Sequence, residues 1–253
     1  MRPGKNKVLS VGLDGKDILY PGPHIIKQGY GIAEFFGYIN DGIFQSQKEV
    51  DDTSHIQDGS RVGGLKFRDV NGDGVVNADD RTTLGSPLAK VLLGLNVNMS
   101  YSNFDLTIFF DSKLGNKIWD NSKISTDFLG YVSNHGTGLL NAWSAENTGA
   151  TIPALSNNSA NFDKQASSYF ISDGGYVRFK SVTLGYTLPK SILDKAKFTS
   201  LRFYVQAENI LTITSFKGYD FETLNADLGS LGVTNVNNYP HSKAITFGLT
   251  LGF

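Results

Sequence analysis

The residues best arranged for chemistry run from Asp69 to Asp80, DVNGDGVVNADD. Asp69, Asn71, Asp73, Asn77 and Asp80 place side-chain oxygens at positions 1, 3, 5, 9 and 12, with Gly74 at 6 and the Val75 carbonyl at 7. Calcium takes six to eight oxygen ligands, and alternate residues of a tightly turned loop supply them in this order. Asp80 stands where an EF-hand carries Glu, and the shorter carboxylate reaches less easily for bidentate binding. The metal set expected here is Asp69, Asn71, Asp73, Val75, Asn77 and Asp80, holding a structural Ca²⁺. The same string is also a polar turn whose glycines tolerate positive φ, and that reading stays open beside the first.

Other chemistry is thinly represented. Trp119, Tyr131 and Trp143 lie in long irregular stretches, where an aromatic ring either stacks on a sugar or packs its loop down. His24, His55, His135 and His241 share no metal-binding spacing, and no G-x-S-x-G or phosphate loop opens a helix. Asp51/Asp52 and Asp79/Asp80 are adjacent, so in a strand their carboxylates would diverge. With no cysteine, disulfides and thiolate chemistry are excluded. No catalytic residue is expected, and the chain is not read as an enzyme. The 23 basic and 24 acidic residues nearly cancel, giving no basic surface for nucleic acid.

The elements that would carry these loops are strands. In Ala244–Phe253, AITFGLTLGF, Ile245, Phe247, Leu249, Leu251 and Phe253 share one face, and small or polar residues share the other. From Lys90, Val91, Leu93, Leu95, Val97 and Met99 face one way, with Leu92 out of phase. Phe104, Leu106, Ile108 and Phe110 repeat the pattern after Tyr101-Ser102-Asn103, which predicts a hairpin. Val182, Leu184, Tyr186 and Leu188 form another row, which Arg178 and Lys180 continue at its start. Leu201, Phe203, Val205 and Ala207 oppose Arg202, Tyr204, Gln206 and Glu208. Shorter strands are expected over 7–13 and within 29–46, with a turn at Asn40-Asp41-Gly42, and a polar loop over 47–65.

Connections alternate in length. Short links follow 91–99 and 176–188, while long loops, 112–175 and 212–241, follow 104–111 and 201–211. Strands of about ten residues with short turns on one side and long loops on the other describe a transmembrane barrel wall. The lipid face would hold Val91, Leu93, Leu95, Phe104, Leu106, Ile108, Leu184, Tyr186, Phe203, Val205, Phe247, Leu249 and Phe253. Asn96, Asn98, Asp105, Thr107, Arg202, Gln206 and Glu208 would face the lumen. Too few strands are present to close a barrel. The expected fold class is all-β, an incomplete antiparallel transmembrane β-barrel segment spanning 1–253. The alternative is a soluble secreted β-sandwich, a carbohydrate-binding module with a calcium loop, in which both faces pack against protein or water.

Several stretches together resemble the C-terminal part of a SusC/RagA-type TonB-linked outer-membrane transporter of Bacteroidota. They are GYGIAEFFGYINDGIFQS (29–46), GLKFRDVNGDGVVNADDR (64–81), WSAENTGATIPALS (143–156), the run from Ser172 to Glu222, and AITFGLTLGF at the end. The loop at 69–80 also resembles the dockerin variant of the calcium loop. The family resemblance implies a barrel of about 22 strands with a plugged lumen. It further implies a Gram-negative outer-membrane location, a SusD-like lipoprotein partner, energy relayed by TonB, and oligosaccharide or peptide cargo. The start, MRPGKNKVLSVG, has no signal-peptide core, and no plug domain or TonB box is recognisable. A piece of a longer receptor, lacking the plug, is therefore expected.

Overall fold

The structure, a computed structural model, describes all residues except 1, 4, 5, 13, 14, 21, 53, 130–133, 158–161, 197, 219, 223–226 and 235–239. Its frame is one antiparallel meander of five long strands: β1 (Val91–Tyr101), β2 (Phe104–Leu114), β3 (Tyr176–Thr187), β4 (Ser200–Thr214) and β5 (Ala244–Gly252). A two-residue strand, Arg2–Pro3, pairs with the outer edge of β1 and completes a six-stranded sheet. The sheet stays open among the described residues. β1 and β2 are joined by a two-residue turn in which Ser102 takes φ 55, the positive-φ geometry whose twist suits a tight hairpin.

Register carries the alternation from strand to strand. Met99, Leu106, Leu184, Val205 and Phe247 are cross-strand partners in one row, and Val97, Ile108, Val182, Ala207 and Ile245 make the next. Along the wall, one face is aliphatic and aromatic and the other, apart from Leu92 and Phe109, is mostly polar or small. The apolar face has no second sheet over it. Phe247 is 81 % exposed, Ile245 66 %, Ile213 61 % and Leu95 57 %. A sandwich would bury these rows at its centre, so the soluble-module alternative is not supported.

The placement of Arg178 and Lys180 on the apolar row needs correction. Phe109 pairs with Ser181 but Phe110 pairs with Phe179, which leaves Lys180 as an inserted residue. Opposite it, Asn209 and Ile210 fall between Glu208, paired with Ser181, and Leu211, paired with Phe179. Asn209 takes φ 53 there. One extra residue reverses the facing of everything beyond it. Val177 and Phe179 thus join the apolar face, where Phe179 meets Phe110 edge-on at 4.2 Å, and Tyr176 and Arg178 turn to the polar face.

Other segments also differ from the pattern-based expectation. Lys7–Gly12 form no strand; Val8 is held instead by two backbone bonds, from its N–H to the Tyr30 carbonyl and from the Gly29 N–H to its own carbonyl. Asn40-Asp41-Gly42 lies within a strand, Asn40–Ile43, bulged against Leu65–Phe67. The polar stretch 47–65 contains a helical turn, Gln47–Val50, capped by Ser46. The connection between β3 and β4 folds as a short helix, Lys190–Ala196.

Beyond the long-loop end of the wall the chain builds a second layer, a cap with its own core. Phe35, Leu65, Phe67 and Phe170 are wholly buried there among Tyr38, Ile43, Val76, Trp119, Phe128 and Val233. Its strands include His24–Ile26, Glu34–Gly37 and Thr82–Gly85 in one sheet, and Ile171–Asp173, Lys117–Asp120 and Val233–Thr234 in another. Gln57 is buried and completes the edge of Leu65–Phe67: its amide donates to the Leu65 carbonyl and accepts from the Phe67 N–H, each at 2.8 Å. Asp163, also buried, accepts from the Leu65 N–H at 2.7 Å and pairs with Arg61 at 2.6 Å. The long loop 112–175 is therefore largely folded chain, held by packing that periodicity does not reveal.

Candidate functional site

The polar face of the wall gathers the residues whose parity assigned them to a lumen. Thr107 donates to Asn98 at 3.0 Å, and Gln206 to Glu208 at 2.7 Å. Arg202 forks onto Asp105 at 2.9 and 2.5 Å, two strands away. The pair reaches across β3 because the residue between them is Gly185, where a Cβ would collide with the guanidinium. Tyr204 lies flat over Gly248 of β5 in the same way, with the Arg202 guanidinium 5.1 Å from its ring. Small residues in register thus give long polar ones room to lie along the wall, and the face stays smooth and charged.

At the long-loop end of this face sits a cluster that sequence reading missed. Arg178 donates to Glu222 at 2.9 Å and to Thr212 at 3.2 Å. The Tyr176 hydroxyl lies 2.8 Å from Asp111 and 2.9 Å from Glu222, and Phe221 packs on both Tyr176 and Arg178. Asp220 accepts from the His241 backbone at 3.0 Å and its ring at 2.7 Å. Burial would raise the Asp220 carboxyl, but the Glu222 N–H and the His241 contacts outweigh it and hold it below the usual range. Glu222 is likewise opposed by burial, yet held low by the Tyr176 hydroxyl and the charges of Arg178, His241 and Lys180. The available signal was the apolar pair Val177 and Phe179, out of phase with Val182 and Leu184, which marks the inserted residue between them.

In the loop from Asp69 to Asp80 the side chains mostly grip the loop's own backbone. Asp69 accepts from Gly72 and Gly74, each at 2.7 Å, and these hydrogen bonds lower its carboxyl, with the Gly74 N–H the largest effect. Asn71 accepts from the Asp73 N–H and Asp73 from the Val75 N–H, each at 2.8 Å. Asn77 caps a 3₁₀ turn, and the buried Asp80 accepts from Val70 at 2.7 Å, Asn71 at 3.3 Å and Asn77 at 2.8 Å. Gly72 and Gly74, at φ 79 and 86, make the winding possible. Among the described residues no three carboxylate or imidazole side chains converge on one point. The oxygen donors keep their order along the chain, while the carboxylates are spread along a loop already closed by hydrogen bonds.

The three aromatics divide. Trp119 is 4 % exposed, wedged between Phe35 at 6.2 Å and Phe170 at 5.0 Å, so its ring cannot meet a ligand; packing the cap is its role. Trp143 is half-buried against the cap core, and its indole donates to Gln45 at 2.8 Å. Tyr131 lies outside the described residues.

No family model matches the chain. It is 31 % identical over 264 residues to TonB-dependent receptor P3 of Formosa agariphila, covering 98 % of the chain and 26 % of that relative. To TonB-dependent receptor SusC of Bacteroides thetaiotaomicron it is 29 % identical over 189 residues, 74 % of the chain and 17 % of the relative. In fold it is similar to a chain of the RagAB peptide transporter, with TM-score 0.74 and 24 % identity over 95 % of this chain and 25 % of that one. The "open-open" state of the RagAB peptide importer gives TM-score 0.73 and 21 % identity. The chain spans about a quarter of the length of P3. An open meander with one unpartnered apolar face, a polar opposite face and this likeness have a single common explanation. The chain is a homologue of TonB-dependent receptors of the SusC/RagA type, and its wall is a segment of an antiparallel transmembrane β-barrel.

Proposed function

We propose that the chain supplies wall and extracellular cap to a Gram-negative outer-membrane importer of oligosaccharides or peptides. The importer is energised through TonB and works with a SusD-like lipoprotein. The observation that carries this reading is the apolar face of the wall, where Leu95, Phe104, Leu184, Phe203 and Phe247 stand exposed on all five long strands. Only hydrocarbon solvates such a face over strands of this length without cost. The face behind it is hydrogen-bonded and charged, as a watery lumen requires. Kinship to TonB-dependent receptors supports import, and the fold likeness to the RagAB peptide transporter supports peptide among the two cargo classes. Affinity purification of the tagged chain from detergent-extracted outer membranes of its host is expected to bring down a lipoprotein. Uptake of a labelled oligosaccharide or peptide by the same cells is expected to stop without TonB. Recovery of the chain in the soluble fraction overturns the reading.

Two local roles belong to it. The loop from Asp69 to Asp80 takes a structural Ca²⁺ through Asp69, Asn71, Asp73, the Val75 carbonyl, Asn77 and Asp80, stiffening the cap without any part in bond chemistry. Its support is the order of oxygen donors and the two positive-φ glycines. Calorimetric titration with Ca²⁺ against Mg²⁺ tests it: saturable Ca²⁺ binding lost in Asp69→Asn is expected, and no heat in the unaltered chain removes the role. Trp143, half-buried at the edge of the cap core, is our candidate for stacking on a cargo ring, and Trp143→Ala is expected to weaken cargo binding while leaving the chain in the membrane.

A further inference from the structure

Two hollows lie side by side on the apolar face, at the short-turn end of the wall. The first, of about 300 Å³, is walled by Phe104, Leu184, Tyr186, Phe203, Val205 and Phe247. The second, of about 500 Å³, lies between β1 and β2, where Met99, Tyr101, Phe104 and Leu106 supply the outer-face side chains. Register accounts for both. Tyr101, Phe104, Tyr186, Phe203 and Leu249 are successive cross-strand partners, and Met99, Leu106, Leu184, Val205 and Phe247 form the next row toward the cap. Val205 is the smallest side chain of its row, so a dip opens between Leu184 and Phe247. Phe104 lines both hollows and packs on Tyr186 with ring centroids 4.7 Å apart, which makes it the ridge between them. No charged side chain lines the first hollow, and Asp105, beside the second, is turned to the polar face and paired with Arg202.

We propose that one two-chain phospholipid of the periplasmic leaflet sits astride Phe104, with an acyl chain in each hollow. The proposal rests on the outer face being the lipid face. Lipid tails are as apolar as these side chains, so entering a hollow gains nothing from the hydrophobic effect. Dispersion decides the matter: a gap forfeits its contacts, while walls on three sides multiply them for a chain that enters. Two hollows parted by a single ring suit two chains joined at one headgroup. Tyr101 and Phe104 flank the Ser102-Asn103 turn, at the level of the aromatic girdle that marks a barrel's membrane surface. The headgroup is therefore level with the turn, and each chain runs from one row to the next, about 7 Å along the strands.

Outer membranes of the host carrying the chain are loaded with phosphatidylethanolamine bearing a diazirine near the head of one acyl chain, irradiated, and the adducts located by peptide mass spectrometry. Adducts at Met99 and Leu184 are expected to exceed those at Leu249, exposed in the neighbouring row outside both hollows, by about fivefold, the return on the extra contacts of a walled chain. Val205→Phe fills the first hollow and is expected to abolish the excess at Leu184 and to lower it at Met99, because both chains belong to one lipid. Ile245→Phe, outside both hollows, leaves the pattern unchanged. Equal yields at all three positions, a deficit in the hollows (the mark of a second copy seated there), or an unchanged Met99 excess in Val205→Phe each overturns the proposal. Adducts nowhere on the face would instead remove the lipid-face reading beneath it. If Val205→Phe does not reach the membrane, Phe104→Ala, which deletes the ridge, is expected to level the yields, and a surviving excess overturns the proposal.

Discussion

Ile108 gives the sharpest test of which solvent covers the wall. It stands in the middle of β2, with Phe104 and Leu106 toward the short-turn end, Phe110 toward the cap, and Val97 and Val182 as cross-strand neighbours. β2 has 11 residues, about 36 Å of strand at roughly 3.3 Å per residue. A tilt of about 45° converts this to a rise of roughly 25 Å, the height of the apolar band of an outer-membrane barrel. Ile108 then lies near the bilayer midplane, where an arginine costs about 2–4 kcal/mol. The folded-to-unfolded ratio falls roughly 30- to 700-fold at about 1.4 kcal/mol per decade. Thr107, one residue away, faces the polar side, and Thr107→Arg forfeits only its bond to Asn98, about 1 kcal/mol. Phe104→Arg, at the rim, is expected to cost about 0–1 kcal/mol. The assay is guanidinium unfolding of the chain in phospholipid vesicles, read by loss of the folded band in unheated gels. Equal costs for Ile108→Arg and Thr107→Arg, or no depth dependence between Ile108 and Phe104, would refute the assignment of faces.

Three further outcomes follow from individual contacts. Gly248→Ala drives a methyl group into the Tyr204 ring, and displacing that ring is expected to cost about 1–3 kcal/mol, whereas Thr246→Ala on the same face changes unfolding little. Gln57→Leu leaves the buried Phe67 N–H and Leu65 carbonyl without partners and is expected to loosen the cap by about 2–4 kcal/mol, seen as faster proteolysis of 56–67 with the wall intact. Asp220 and Glu222 are held below their usual range, so their contribution is complete above the ordinary carboxylate values and disappears as pH falls through the lowered ones. Hydrogen exchange at Phe221–Glu222 should therefore accelerate on strong acidification, less steeply in Arg178→Met, where one source of the lowering is gone.

Much of the wall was legible in the chain itself. Side-chain alternation depends only on the local backbone, so Leu95, Ile108, Val205 and Phe247 declare a shared face without knowledge of any neighbour. A charged opposite row and alternating loop lengths then narrow the solvent of each face to lipid and water. Alternation speaks of insertions only through a change of phase, here between Val177–Phe179 and Val182–Leu184. Pairing with Phe109–Phe110 on one side and Glu208–Leu211 on the other places the inserted Lys180 and turns Arg178 inward. The cap was illegible for a related reason: its strands are two to four residues long, too short for a period, and are held by contacts between residues far apart, such as Gln57 with Leu65 and Phe67, or Trp119 with Val233.

The loop at 69–80 shows the division most plainly. Its sequence determined that oxygen atoms would recur at ligand spacing and that two glycines would let the chain wind tightly, because both depend on residue type and order alone. Whether those oxygens face a common centre or the loop's own N–H groups is a matter of three-dimensional closure, and here Asp69 and Asp80 turn to the backbone. Likewise the sequence determined that Asp220, Glu222 and His241 exist in one long connection, and tertiary structure alone decided that they meet, since strands β3, β4 and β5 must pair in register before the two ends of that connection come within reach of Arg178.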